Sequence, residues 1–234
     1  MIEVVRKTFQ SLRYSGLRRT LQQFRRRLIP TRIFDADVFL INRFDFSDLE
    51  NETPYPFDFR WGFREDRERL TEGGLPLSTV DHYFDLGGRP VVVEDGGNVV
   101  GYTWVIPDGG DLYDWLRLEV GPKEVWGATA FVIPAYRGKE IGPMMKGFAY
   151  RELAGEGYER SLTMIEKLNT LSKHAAAKVP QRVVGKISYV RLLGLTVAKA
   201  ADQWFLGYWG SKNRLVIPVT IFENDRPKPG LSNG

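Results

Sequence analysis

Residues 124–155 read EVWGATAFVIPAYRGKEIGPMMKGFAYRELAG, and this stretch decides the fold. Its first ten residues are apolar at nearly every position, which predicts a central strand. A short basic turn, RGKEIG, follows, and the residues from about 143 read as a helix that ends at Gly155. The first turn of a helix presents unpaired backbone amides and the positive end of the helix dipole. The order of strand, basic turn and helix therefore predicts a phosphate site.

The turn differs from the best-known phosphate-binding loops, because neither GxxxxGK[ST] nor GxGxxG occurs in it. Arg137 and Lys139 add positive charge, but Glu140 stands where glycine would be more natural. Pro143 has no N–H to offer, although proline is well suited to an early helical position. Taken alone, the turn is also compatible with an ordinary surface loop.

Further motifs surround this turn in a recognisable order. VIPAY precedes it, and the hairpin strand NVVGYTWVI lies upstream. Downstream are three polar residues at the spacing of a second motif, Asn169, Ser172 and Lys178, followed by Gly185. Together these motifs resemble the GNAT superfamily of acyl-CoA-dependent N-acyltransferases, whose signature is [QR]-x-x-G-x-[GA]. The resemblance covers residues 90–195, about half of the chain.

The resemblance implies an α/β (α+β) fold with a mixed, mostly antiparallel sheet of about six to seven strands flanked by helices. The residue pattern predicts a strand in VFLINRF, helices at 47–53 and 63–73, and a hairpin across Asp95-Gly96-Gly97-Asn98. Further strands are predicted in SLTMIE, RVVGKISYVRLLGL, DQWFLGYWG and RLVIPVTIF, with a helix in LNTLSKHAAAK. We divide the chain into a basic helical arm at 1–30, an acyltransferase domain at 35–225 and a loose tail at 226–234.

The same resemblance implies acetyl-CoA, or another acyl-CoA, as co-substrate. Strand backbone would hold the pantetheine and the reacting carbonyl, and the turn would hold the pyrophosphate. The residues implied in this binding are Phe131, Val132, Ile133, Arg137, Gly138, Lys139, Glu140, Ile141, Gly142, Asn169 and Ser172.

Acyl transfer to an amine needs a base and a route for the thiolate to leave. Glu166, at the end of the SLTMIE strand, is the candidate base, and its alternative is an exposed charge at a strand end. Ser172 and Tyr189 are the candidate proton donors, because Ala176 stands where relatives often have a tyrosine. The thiolate could also leave unassisted, since an ordinary thiol has a pKa of about 8.5.

The acceptor site implied by the resemblance lies before the hairpin and in the last strands, with Arg60, Trp61, Trp204 and Tyr208 as candidates. Aromatic residues at such spacings are also typical of core packing, so this assignment competes with a structural one. The chain has no cysteine and only two histidines, which argues against a metal site.

The basic character of the chain is concentrated in its N-terminal arm. Residues 1–27 carry eight cationic residues against Glu3, a net charge of +7, which leaves −3 of the overall +4 to the rest. Apolar residues recur at helical spacing over Ile2–Leu12 and again over Leu17–Leu28. Such an arm can dock on its own domain or a second subunit with its arginines in solvent, bind an anionic membrane, or bind an acidic protein. Nucleic acid is disfavoured, because no aromatic-plus-basic motif accompanies it.

Three functions remain open at this point. The first is a cytoplasmic N-acetyltransferase acting on a small amine, such as an amino sugar or nucleotide sugar. The second is a longer-chain acyltransferase, peripheral at the inner membrane face, that uses acyl-CoA or an acidic carrier protein contacted through residues 1–30. The third is a non-catalytic binding protein on a GNAT scaffold. The acceptor, the acyl length and a homodimeric state are not determined by the sequence.

Overall fold

The structure is a computed structural model, and it describes residues 20–22, 24–26, 28–31, 33–49, 56–72, 74–107, 109–113, 115–208 and 214–222. The predicted stripe over Ile2–Leu12 and the predicted tail at 226–234 lie outside the described residues. The three proposed segment boundaries therefore stay predictions. Among the described residues, none of the helices is both long and apolar enough to cross a bilayer.

Among the described residues, twelve strands in two sheets form the body of the molecule. The large sheet has nine strands in the order β11-β10-β9-β1-β8-β7-β4-β3-β2, and the small sheet has the order β12-β6-β5. The strands of the large sheet are β1 Phe34–Asp45, β2 Asp58–Trp61, β3 Arg89–Asp95, β4 Asn98–Ile106, β7 Glu124–Val132, β8 Arg160–Glu166, β9 Arg182–Leu192, β10 Leu195–Ala200 and β11 Gln203–Tyr208. The small sheet contains β5 Gly110–Tyr113, β6 Leu116–Glu119 and β12 Leu215–Pro218.

Neighbouring strands of the large sheet run antiparallel except β7 and β8, which are parallel. The predicted mixed, mostly antiparallel α+β class is therefore confirmed. The sheet is larger than the expected six to seven strands, because β2 adds to one edge and β10 forms a separate strand between β9 and β11. The predicted hairpin also forms, with Gly96 and Gly97 both at positive φ in the β3–β4 turn.

Three helices carry the labels α1 Leu77–Asp85, α2 Ile141–Gly155 and α3 Thr170–Ala176, and an unlabelled helical segment covers the described residues between 20 and 28. The α-helix predicted at 63–73 is wrong: the chain forms two short 3-10 turns there. The reason is local, because the Asp66 carboxylate accepts hydrogen bonds from the Phe63 amide and the Arg60 guanidinium and so tightens the turn. In the described part of 47–53, only a 3-10 turn at Phe46–Asp48 forms.

The large sheet is covered on both faces. Helix α2 packs on one face through Met145, Ala149 and Leu153, which are buried against strand residues such as Val91 and Val93. On the other face, α1 packs over Tyr102 and Trp104. The small sheet packs beside it over the region of Phe39, Ile41 and Ile187. Helix α2 and the small sheet therefore lie on opposite sides of the central strands, with the junction of β7 and β8 between them.

Candidate active site

The two parallel strands β7 and β8 separate part-way along their length. Their registered pairs run from Glu124–Arg160 to Gly127–Thr163 and stop there within these described strands. Beyond that point β7 stays paired with β4, and Glu166 of β8 stays paired with Phe39 of β1. A wedge-shaped gap therefore opens between the second half of β7 and the end of β8, in the middle of the sheet.

The backbone of β7 offers hydrogen-bonding groups to this gap. The Ile133 amide donates to Val100 O at 3.0 Å, so it points towards β4. Because amides alternate in direction along a strand, those of Ala130 and Val132 point the other way, towards β8. The Arg137 Nε donates to Val132 O at 3.2 Å, which agrees with that direction. Of the three predicted backbone contacts, Val132 faces the gap, whereas the Ile133 amide is engaged within the sheet.

The basic turn connects the end of β7 to helix α2. Gly138 has a φ of 88° and Glu140 a φ of 59°, so two of its residues are left-handed. Glycine adopts that conformation freely, but glutamate does so at a cost. The Glu140 carboxylate points out to the Lys178 ammonium at 2.8 Å. The negative charge of the Glu140 side chain therefore lies away from the backbone N–H of the same residue.

The geometry of the turn fits a pyrophosphate. The first bond of α2 runs from Met144 N to Glu140 O, so the amides of Ile141 and Gly142 precede the helical ladder. A Cβ placed on Gly138 or on Gly142 would meet no atom within 4 Å, so both glycines border open space. These features fit a phosphorylated ligand that continues into the gap between β7 and β8.

Two cations stand beside the turn, Arg137 and Lys139. The Lys139 ammonium lies 4.4 Å from the centre of the Tyr136 ring. The Tyr136 hydroxyl in turn donates to Asp95 at 2.6 Å, which anchors the ring to the β3–β4 hairpin. The aromatic contact holds the Lys139 charge close to the turn, where it can add to the attraction for phosphate.

The second predicted region begins helix α3, on the β8 side of the gap. Asn169 is the residue before the helix, and its side-chain oxygen accepts a hydrogen bond from the Ser172 amide at 3.2 Å. This is a standard N-terminal cap, and it accounts for the Asn169 side chain without a ligand. Lys178 lies just beyond the helix and forms the pair with Glu140. The turn and the α3 segment thus meet across one end of the gap.

The candidate base Glu166 is not an isolated strand-end charge. Its carboxylate accepts a hydrogen bond from Arg26 NH1 at 3.1 Å. The same guanidinium donates to Asp35 at 3.0 Å, to Asp37 at 3.0 Å and to the Tyr189 hydroxyl at 3.2 Å. One arginine of the N-terminal arm therefore joins β1, β8 and β9 at the end of the gap.

The neighbouring groups shift the ionisation of the two aspartates in opposite directions. Burial raises the pKa of Asp35, but hydrogen bonds from Arg26 and Tyr189 outweigh it, and the pKa lies below its usual range. Burial also raises the pKa of Asp37, and repulsion from Glu166 helps to keep it above its usual range. Arg26 therefore stands among three carboxyl groups, and of the two aspartates Asp37 is the more readily protonated.

Tyr189 is held in a structural arrangement rather than aimed at the gap. Its hydroxyl donates to Asp35 Oδ2 at 2.6 Å, and its ring stacks on Phe39 with the centroids 5.3 Å apart. Burial, together with this bond to Asp35, holds the pKa of Tyr189 well above its usual range. A phenol of raised pKa, with its proton directed at Asp35, is poorly suited to protonate a thiolate. The other candidate acid, Ser172, stays a prediction.

The predicted acceptor residues do not come together. Arg60 and Trp61 lie on β2, and Trp204 and Tyr208 lie on β11, which are the two opposite edges of the large sheet. With eight strand spacings between them, the edges are roughly 38 Å apart. The expectation of one acceptor site shared by both regions is therefore corrected.

Each of the four side chains also has a local role or an exposed position. The Arg60 guanidinium forms a two-bond ion pair with Asp66, and this contact lowers the pKa of Asp66 to about 2. Trp61 packs beside Phe148 of α2, with the ring centroids 5.8 Å apart. Trp204 and Tyr208 are exposed on the sheet surface.

Three residues of the candidate site were not predicted from the sequence: Arg26, Asp35 and Asp37. Their partners are as many as 163 residues away in the chain, so no local spacing could relate them. A weak signal was present, because acids at alternating positions 35 and 37, just before an apolar run at 38–41, share one face of the strand. The expected arginines in solvent are likewise corrected for Arg25 and Arg26, which pair with buried carboxylates.

A mostly antiparallel sheet, with one parallel strand pair that separates beside a basic strand-to-helix turn, places the molecule in the class of α+β acetyltransferase folds. Residues 44–179 match the acetyltransferase (GNAT) family. Since that match spans more than half of the chain, the protein belongs to the GNAT acetyltransferase family. None of the curated proteins matches the sequence.

Several solved structures resemble the fold at low sequence identity. A conserved protein of unknown function from Staphylococcus epidermidis is 11% identical, with a TM-score of 0.49, over 73% of this chain and 65% of that one. A GNAT-family acetyltransferase of Novosphingobium aromaticivorans, described as putative, is 14% identical with a TM-score of 0.47, over 66% and 65%. An aminoglycoside N-acetyltransferase in complex with CoA is 14% identical with a TM-score of 0.41, over 52% and 88%. The chain thus spans less than two thirds of the length of the first two of these structures.

Proposed function

We propose that this protein transfers an acetyl group from acetyl-CoA to the amine of a small molecule. The observation that carries the proposal is the gap between β7 and β8, which ends at the turn of Arg137–Gly142. Acetyl-CoA would supply the thioester. Arg137, Lys139 and the amides of Gly138, Ile141 and Gly142 would hold its pyrophosphate, and the Val132 amide would hold the acyl end.

Glu166 is the proposed base, because its carboxylate lies at the end of the gap on the strand facing Val132. A base there would take the proton of an attacking amine, directly or through water. Arg26 and Asp37 would position this carboxylate, and Ser172 would donate the proton to the leaving thiolate. The carboxylates of Glu166 and Asp37 would attract a cationic acceptor, which suits an amino sugar or another small amine.

A binding experiment tests the co-substrate site. Acetyl-CoA should raise the melting temperature, as any ligand selective for the folded state does. Arg137→Ala should reduce the shift, because the turn loses one of its two cations. Lys123→Ala is the matched control, since Lys123 is an exposed cation paired with Glu159 away from the turn. The absence of a shift at millimolar acetyl-CoA would contradict the proposal.

A separate experiment tests the chemistry. Release of free thiol from acetyl-CoA should depend on an added amine, with amino sugars tested beside simple alkyl amines. Glu166→Gln should lower the rate by about 100-fold or more while keeping the acetyl-CoA melting shift. Octanoyl-CoA in a parallel arm distinguishes the longer-chain alternative. Binding without thiol release from either donor would instead favour the non-catalytic alternative.

A further inference from the structure

An exposed apolar surface surrounds one corner of the molecule, where the N-terminal helical segment meets the β9–β10 hairpin. We call it the apolar rim and define it by eight exposed or partly exposed side chains. They are Leu21, Phe24, Leu28, Ile29, Ile33, Leu192, Leu193 and Leu195. The two parts are joined directly, because the Leu193 amide donates to Ile33 O at 2.9 Å and Phe34 pairs with Leu192. Large contiguous apolar patches of this kind mark interaction sites.

The helical segment exposes the side that most amphipathic helices bury. Its inner side carries Gln22 and Arg26, which contact Asp35 and Asp37 of β1. The outer side carries Leu21, Phe24 and Leu28, whose exposed fractions are 57%, 55% and 67%. A helix that docks only for stability would bury its apolar stripe and leave its arginines in solvent. This helix is held by ion pairs, which leave the apolar stripe available to a partner.

The hairpin part of the apolar rim also exposes an apolar side chain, that of Leu193. Leu193 and Gly194 form the tight turn between β9 and β10, with φ of 49° and 87°. A left-handed position in such a turn favours asparagine, aspartate or glycine, and a leucine there is strained. Leu193 is nonetheless 72% exposed, so packing within the chain does not repay that strain. A leucine at this position gains stability only when something apolar covers it.

The charge of the adjoining sequence identifies the partner. The residues that lead into the rim contain Arg6, Lys7, Arg13, Arg18 and Arg19, and residues 1–27 have a net charge of +7. A second copy on the rim would bring two such arms together, and their repulsion opposes self-association. An anionic bilayer suits both parts, because its hydrocarbon can cover the apolar rim and its negative headgroups attract the basic arm. We propose that the apolar rim docks onto the surface of an anionic lipid bilayer.

Vesicle flotation of the full-length protein tests this inference without reference to acetyl transfer. The probes are phosphatidylcholine vesicles with and without phosphatidylglycerol. We expect the protein to float with the anionic vesicles only. Leu193→Asn removes the apolar tip but suits the left-handed turn, so the hairpin should remain folded. Leu193→Asn and Leu28→Ser should each lower the partition coefficient by about tenfold. Val216→Thr, an exposed apolar residue of β12 outside the rim, is the matched control and should leave flotation unchanged.

Four outcomes would overturn the proposal. One is the absence of flotation with anionic vesicles, and another is equal flotation with neutral ones. A third is unchanged flotation of both rim variants, which would assign binding to the arm alone. The last is a dimer in solution that dissociates on Leu193→Asn without vesicle binding, which would assign the rim to a second copy. Melting temperatures of the variants verify that each one is folded.

Discussion

Glu140 combines an unfavourable backbone conformation with a useful position. Its φ of 59° is the conformation that a signature glycine would adopt without strain, and the glutamate adopts it in the same turn. The carboxylate reaches Lys178, and this contact holds the pKa of Glu140 below its usual range. The departure from the family pattern therefore changes the side chain but keeps the path of the backbone.

Replacing Glu140 by glycine should stabilise the protein, because glycine removes the left-handed strain. We expect Glu140→Gly to raise the melting temperature by about 2 °C. Acetyl-CoA affinity should stay the same or improve, since the carboxylate that is removed points away from the turn to Lys178. Glu140→Ala separates the two effects, because alanine also loses the Lys178 contact but keeps the strain. A lower melting temperature for the glycine variant than for the alanine variant would contradict this account of the turn.

Lys146 of helix α2 should make the stability of the protein depend on pH. Burial lowers the pKa of Lys146 from 10.5 to about 8. Below pH 8 the folded protein carries the full cost of a desolvated ammonium, and that cost falls as the pH rises towards 10.5, where the unfolded chain also loses the proton. Lys146→Met should therefore stabilise the protein by about 2 kcal/mol at pH 7.

The advantage of Lys146→Met should shrink as the pH approaches 10. Urea unfolding of both proteins at pH 7, 8.5 and 10 measures the difference, in which other titrating groups cancel. Lys123→Met is the control, because Lys123 is exposed and its replacement should show no such trend. A difference that does not change with pH would show that Lys146 keeps its charge throughout.

At the scale of elements, the N-terminal helical segment is attached to the domain by charge. Arg26 is 22% exposed and contacts three carboxylates, two of them almost fully buried. Arg26→Ala would remove the one cation that contacts all three carboxylates. We expect a loss of about 3 kcal/mol in the free energy of unfolding.

Arg25→Ala is the comparison for this variant, because Arg25 pairs with Asp35 alone among the three carboxylates. Its cost should be closer to 1 kcal/mol. Adding Asp37→Asn to Arg26→Ala should recover part of the loss, since it removes one of the opposing charges. Equal effects of the two arginine variants would mean that the network is not centred on Arg26.

Elements determined by residues that are neighbours in the sequence were predicted well, whereas those determined by contacts between distant residues were not. Strand β7, the basic turn and α2 follow from residues that are neighbours in the chain, and the glycine pair of the β3–β4 turn is equally local. Helix α1 was missed, because Val80 is its one fully buried residue and its apolar pattern is correspondingly weak. In the candidate site, the position of Glu166 at a strand end could be predicted from the sequence, but its contact with Arg26 joins residues 140 positions apart.

At the scale of the whole molecule, the two sheets meet in one apolar core. Gly185 of β9 marks a place where they approach closely, because a Cβ there would lie 2.1 Å from the Phe222 ring. Phe222 follows β12 and is buried with residues of both sheets. The fit between the sheets thus depends on a position that has no side chain.

Gly185→Ala should accordingly force the two sheets apart. The expected cost is about 3 kcal/mol in the free energy of unfolding. Gly155→Ala is the matched substitution, because a Cβ there meets no atom within 4 Å, and it should be neutral or stabilise α2 by up to about 1 kcal/mol. Equal denaturation midpoints for the two variants would show that the junction of the sheets can adjust.

The position of β1 between β8 and β9 has a consequence for how the protein is made. Phe39 pairs with Glu166 and with Ile187, so both neighbours of this strand leave the ribosome long after it does. Until then β1 has two open edges and an apolar side in a crowded cell. Strand β7, the turn and α2 can assemble in the meantime, because their contacts are short in sequence. Closure of the sheet is therefore among the last events of synthesis, and a nascent chain halted before β9 would expose an unpaired edge to aggregation.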